Sequence, residues 1–289
     1  GRIFTAPTKV QYLADTLLRN PKARLLAGST DLGLEITQGL IEPQSLIYLG
    51  QIASMRSITV TDQIIRVGAA AKLSDVAPIL IDHWPNLREL FERFGSSQIR
   101  NQATLGGNIA NASPIGDTPP MLLALDAKLL LRRGDQTRFL PLCDFYHSYK
   151  NTDLASSEFI EAIDIPIGYK DHKVSVNKVS KRLEDDISTV CLATRWKNQG
   201  GRFADVRIAL GGMDEIPRRS KICESILEGA AFSEQTMNEA ILALKNDFNP
   251  IGDVRANADY RKKVAGNLLW RSFLSQSEKR SAIRVPRYA

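Results

Sequence analysis

Three short stretches hold the residue types from which a site could be built. The first, "LLAGSTDLGLE" at 25–35, runs from apolar residues into Gly28, Ser29, Thr30 and Asp31, and resumes apolar spacing at Leu32. A glycine admits close backbone approach, and successive N–H groups beside hydroxyls suit phosphate oxygens. Gly28, Gly33 and Gly39 do not form a G-x-G-x-x-G fingerprint, and taken alone the stretch fits a plain strand-to-helix corner better. The second, "TLGGN", sets Gly106 and Gly107 between Thr104 and Asn108; its amides can converge on an anion or simply turn the chain. Two glycine-centred loops in successive units say more than either alone, because a diphosphate held between two subdomains needs donors from both. Together they point to a dinucleotide. The third stretch, "SKRLEDDIS" at 180–188, puts two bases before three acids and reads by composition as a charged hairpin rim. No carboxylate pair elsewhere has a spacing suited to acid–base hydrolysis, so the chemistry has to come from a cofactor.

The elements around these stretches follow from periodicity. Val10, Leu13, Leu17 and Leu18 share one face of a helix over 8–20 with Thr8 as N-cap, and "ARLLAG" is a short buried strand. A segment of four to eight residues, helical or extended, leads to a strand at 45–50. The alternation in "SITVTDQIIRVG" predicts a hairpin that ends a first α+β unit near residue 71. A second unit begins with a helix over 75–82 capped by Ser74, then an apolar stripe of Leu87, Leu90, Phe91 and Phe94 stopped by Gly95. From Ser96 to Thr118 the chain is small, polar and glycine-bearing, a long loop of the kind that carries function. Asp117 and Thr118 ahead of Pro119-Pro120 predict the N-cap and first turn of a helix through Leu125. A strand pair around Gly134-Asp135 and a strand at 158–165 close this unit. Beyond it come strands at 173–180, 187–197 and 203–212, a hairpin at "NQGG", and helices at 218–230, 233–246 and 257–275. Strands first and helices after is an α+β layout, with a boundary near residue 170.

Composition excludes several classes. The chain of 289 residues is 43% hydrophobic and 24% charged, with no apolar run long enough to span a bilayer and no signal-like core at its start, which points to a cytoplasmic protein. The charge of +6 is spread among 32 acidic residues rather than gathered in a stripe, which argues against nucleic acid. The most basic run, Lys279, Arg280, Arg284 and Arg287, suits a solvated or partner-facing tail. Cys143, Cys191 and Cys223 lie far apart and His83, His147 and His172 are isolated, so no metal or iron–sulfur site is expected in this chain. HExxH, GxSxG and P-loop signatures are absent.

In their order and spacing, "LLAGSTDLGLE", "QIRNQATLGGNIANASPIGD" and "KRLEDDIS" resemble three stretches of the flavin domain of molybdenum hydroxylases, above all the small, FAD-carrying subunit of bacterial xanthine dehydrogenase. The likeness runs from "FTAPT" to "VRANADYRKKVAGNLL". It implies an α+β fold: a PCMH or vanillyl-alcohol-oxidase-type FAD-binding domain at 1–170, with subdomains of about 1–71 and 72–170. An α+β domain like that of carbon monoxide dehydrogenase flavoproteins would follow at 171–289. Carried over by residue, Leu25, Leu26, Ala27, Gly28, Ser29, Thr30, Asp31 and Leu32 would wrap the FAD diphosphate. Ala103, Thr104, Leu105, Gly106, Gly107 and Asn108 would form the second clamp, with Phe94, Asp117, Ile160 and Lys178 as further FAD contacts. Asp185 matches a loop acid near the isoalloxazine that influences access of NAD+, and Tyr149 and Lys150 would lie at that approach.

The resemblance implies that electrons from a molybdenum centre reach FAD through [2Fe–2S] clusters and leave as hydride to NAD+. The clusters and the molybdenum cofactor are then expected on other domains or subunits of a hetero-oligomer. The chain opens where the iron–sulfur domains would end, so the expectation is a fragment or clusters on another polypeptide. Ser29 and Asp31 stand where animal relatives usually have Asn and Glu, and Leu183 where they have arginine. The competing readings are the FAD subunit of a carbon monoxide, aldehyde or aromatic-acid dehydrogenase, and a scaffold without flavin.

Overall fold

Among the described residues, loops carried by separate sheets meet at one cleft. The computed structural model describes residues 1–169 and 171–275; the basic tail at 279–287 lies outside the described residues. Strands β1 (Ile3–Thr5), β2 (Arg24–Leu26) and β3 (Ser45–Tyr48) form a parallel sheet in the order β1-β3-β2. Helix Val10–Arg19 supplies the crossover and buries Leu13, Ala14 and Leu17. Its N-cap is Lys9, without a side-chain cap bond, rather than the expected Thr8: the helix begins one residue later.

Strands β4 (Ile58–Val60), β5 (Ile64–Gly68), β6 (Lys128–Arg133) and β7 (Gln136–Pro141) belong to a second sheet. A small pair, β8 (Tyr146–Ser148) and β9 (Asn151–Thr152), precedes its last member, β10 (Phe159–Pro166). The order is β4-β5-β10-β6-β7, antiparallel throughout. The 58–68 hairpin expected to close the first unit is therefore bonded into the second sheet. Alternation identifies a strand, but its partner, β10, lies nearly a hundred residues further on. Helix Leu73–His83 starts after Lys72, so Ser74 sits inside the first turn instead of capping it.

Strands β11 (Lys173–Val179), β12 (Val190–Gln199), β13 (Arg202–Gly211) and β14 (Arg218–Arg219) make a third, antiparallel sheet. Its period of two, with both faces covered, explains why β12 is buried from Val190 to Trp196. Cys191 and Ala193 face the core of the preceding sheets, while Val190, Leu192 and Trp196 face the helices behind. Those helices are Lys221–Leu227, Glu234–Asp247 and Ala258–Leu274, each capped by a Ser or Asn side chain on a backbone N–H. The first is shorter than expected because β14 takes its leading residues. At "NQGG", Gly200 and Gly201 both have positive φ and close the β12–β13 hairpin. Among the described residues no helix is long and apolar enough to cross a membrane.

Candidate cofactor site

The expected long loop at 96–118 contains two short helices, Ser97–Arg100 and Leu105–Ala110. This changes the chemistry of "TLGGN". Leu105 and Gly106 donate to the carbonyls of Ala71 and Ala69 at 3.1 and 3.0 Å. Gly107 donates to Thr104 Oγ1 and Asn108 to the Thr104 carbonyl, at 3.1 and 3.0 Å. All four N–H groups are thus committed, and the stretch is a self-capped helix start docked on 69–71, not an open anion turn.

The first loop has the opposite character. Among the described residues, the backbone N–H groups of residues 28 to 32 donate to no protein acceptor. Ser29 is held at φ 65°, in the left-handed region that costs a non-glycine residue energy. Gly28 is required by the protein itself: a Cβ there would sit 1.9 Å from the Gln102 carbonyl oxygen and 3.0 Å from Ala103 Cα. The two loops therefore touch backbone to backbone.

The resulting cleft encloses about 610 Å³, within the roughly 300–1,000 Å³ usual for cofactor sites. Its walls include Leu25, Ala27, Gly28, Ser29, Thr30, Asp31 and Leu32 on one side and Phe94, Ala103, Thr104, Gly107, Asn108 and Asp117 on the other, with Lys178 and Asp185 closing it from the third sheet's side. Leu26, Leu105, Gly106 and Ile160 stand outside this lining. Leu26 is in the β2 ladder, Leu105 and Ile160 are core residues, and a Cβ on Gly106 would strike Ala69 at 2.5 Å. Composition alone did not flag Ile99, Ser113, Ile115 or Ile187, which also line the cleft.

Asp117 does not cap helix Thr118–Ala124 with its side chain, as its position suggested. Asn108 does: its Oδ1 accepts from Thr118 N and Oγ1 at 3.3 and 2.6 Å, which leaves its NH₂ donors to the cleft. Asp117 is freed to accept from Lys178 Nζ at 2.6 Å and from Ser188 Oγ. Lys178 also donates to the Asp186 carbonyl at 2.8 Å, and Arg93 holds the Lys178 carbonyl at 2.6 Å. A buried lysine, nearly all of its surface covered, so joins the third sheet to the cleft wall. Asp185, at φ 49°, is exposed on the rim, its N–H on the Gly95 carbonyl. Burial, then Glu35, push the Asp31 carboxyl up from its ordinary value, and Lys150 partly offsets them. The backbone N–H of Arg182 leads the groups that hold Asp186 down.

Residues 2–168 match the family described as FAD binding domain in molybdopterin dehydrogenase. The chain belongs to this family. Residues 175–276 match the CO dehydrogenase flavoprotein C-terminal domain. The putative xanthine dehydrogenase FAD-binding subunit of Escherichia coli K12 is 30% identical over 90% of this chain and 89% of its own length. Xanthine dehydrogenase of Emericella nidulans is also 30% identical over 96% of this chain, which spans only 22% of that larger protein. In structure, a chain of carbon monoxide dehydrogenase from Hydrogenophaga pseudoflava superposes with a TM-score of 0.88 at 27% identity, covering 94% of this chain and 96% of the other. FAD fits the cleft on its own evidence as well: unfilled N–H groups suit a diphosphate, and the apolar side chains of Leu25 on one wall and of Phe94 and Ile99 on the other suit rings.

Proposed function

We propose that this chain is the FAD-holding electron-transfer component of a xanthine dehydrogenase-like molybdenum hydroxylase. Electrons reach its flavin from [2Fe–2S] clusters fed by a molybdenum centre, both on partner domains or subunits, and leave to NAD+ in purine oxidation within the cytoplasm. The FAD-binding domain ends near residue 170 and the C-terminal domain follows. FAD supplies the redox chemistry: it accepts electrons singly or in pairs and passes on a hydride. The residues of this chain bind and orient it. The N–H groups of residues 28 to 32 take the diphosphate, Asn108 offers NH₂ donors, and Lys178, held by Asp117, presents its ammonium from the third sheet's side. Asp185 stands at the rim, where the nicotinamide approaches.

The observation that carries this reading is the row of unfilled N–H groups in a cleft walled by all three stretches. The xanthine assignment is supported by the near full-length likeness to the Escherichia coli subunit. The likeness to the Hydrogenophaga chain supports carbon monoxide dehydrogenase as the second reading. Adding FAD to the purified protein is expected to give a bound flavin with visible absorption, lost in Gly28→Ala; a colourless wild-type protein would favour the scaffold reading. In the whole complex, Asp185→Ala is expected to lower NAD+ reduction far more than xanthine oxidation with an artificial acceptor. Equal loss of both would remove Asp185 from the nicotinamide's path.

A further inference from the structure

We propose that Lys150 is the cation that closes over the diphosphate of the bound cofactor, exchanging Glu35 for it. The proposal rests on the reading of the cleft as an FAD site. Lys150 and Tyr149 form the two-residue turn between β8 and β9, and Lys150 is held at φ 54° although it is not glycine. The base of this hairpin is fixed to the second wall: Phe145 and Tyr146 are buried, and the Tyr146 hydroxyl donates to the Ile109 carbonyl at 3.2 Å. Its tip reaches the first wall, where Lys150 Nζ lies 4.0 Å from Glu35 Oε1 and acts on Asp31. The turn therefore bridges the cleft from one wall to the other.

The bridge is built to be exchanged. At 4.0 Å, with the Lys150 side chain half exposed, the pair is weak. Glu35 keeps a better partner in Arg24, at 3.0 Å, if Lys150 leaves. A diphosphate seated on the N–H groups of residues 28 to 32 brings more negative charge than Glu35 and a geometry suited to an ammonium. It also places that charge beside Asp31 and Glu35, whose carboxylates repel it unless a cation intervenes. Among the described residues, Lys150 is the lysine that stands beside both Glu35 and Asp31. Its strained turn is the sort of local cost that persists at a ligand clamp.

FAD, riboflavin and ADP titrated into the full chain and followed by flavin fluorescence, with ADP read by displacement of FAD, separate the possibilities. Lys150→Ala is expected to weaken FAD and ADP about tenfold and to flatten the salt dependence of their binding, leaving riboflavin unchanged. Lys150→Arg should retain the affinity. Glu35→Gln should tighten FAD, because it releases Lys150. A purely structural latch predicts instead that Lys150→Ala and Glu35→Gln each weaken all three probes, and that result overturns the proposal, as does unchanged FAD affinity in Lys150→Ala. If the wild-type protein takes up neither FAD nor ADP, the reading of the cleft fails first and this inference with it.

Discussion

Adding one methyl group at position 28 drives a carbon into the Gln102 carbonyl, so Gly28→Ala has to force the two loops apart. Circular dichroism of that variant should stay near wild type while flavin uptake falls. The glycine's importance was legible from its place after a strand, but its neighbour was not. A sequence cannot say whether a missing side chain makes room for a phosphate or for another loop seventy residues away. Lys178 and Asp117 were legible only by resemblance, since a pair so far apart in the chain leaves no local pattern. Lys178→Met would strand a buried carboxylate and should cost about 3 to 5 kcal/mol in denaturant unfolding. Thiol reagents should modify native Cys143 slowly and leave Cys191 and Cys223 untouched until unfolding. Cys143 is exposed, though burial of its thiol and Asp144 raise its pKa, whereas burial pushes Cys223 up to about 12 and Cys191 also well above its ordinary value.

Helix Leu105–Ala110 is short enough that its start decides its existence. Thr104→Ala removes the cap on Gly107 and should cost about 1 kcal/mol of stability, whereas Thr104→Ser should cost little; thermal unfolding distinguishes them. The helix was missed in the sequence because two glycines and an asparagine in six residues argue against helix, and tertiary docking on Ala69 and Ala71 overrides that propensity. Elements whose signals are local are legible, such as the "NQGG" hairpin and the helices expected at 233–246 and 257–275, which run Glu234–Asp247 and Ala258–Leu274. The capping of helix Thr118–Ala124 misled, because Asn108 performs it from ten residues away and Asp117 is taken by Lys178.

Across the whole molecule, the C-terminal helices lock to the cleft side through Arg261, which donates to the Thr189 and Gly212 carbonyls and to Asp253 at 2.7 Å. Burial pushes Asp253 up, but the N–H groups of Ala256 and Arg255 and the Arg261 guanidinium outweigh it and hold the carboxyl at about 2, below the ordinary 3.8. A depressed carboxylate contributes stability above its ordinary pKa and loses it as pH falls toward the folded value. Unfolding midpoints should therefore drop between about pH 4 and 2, and Asp253→Asn should flatten that drop. The α+β layout was legible at this scale, because alternation and helix periods survive any pairing. The membership of the 58–68 hairpin was not, since sheet partners are chosen by contacts distant in sequence. The Lys178–Asp117 pair has one further consequence, in time rather than space. A nascent chain has made two of the cleft's three walls by residue 117, yet Asp117 stays without its lysine until some sixty more residues have emerged. The cofactor therefore meets a finished pocket only late in synthesis, and a fragment cut at the end of the matched FAD-binding stretch should fail to hold it.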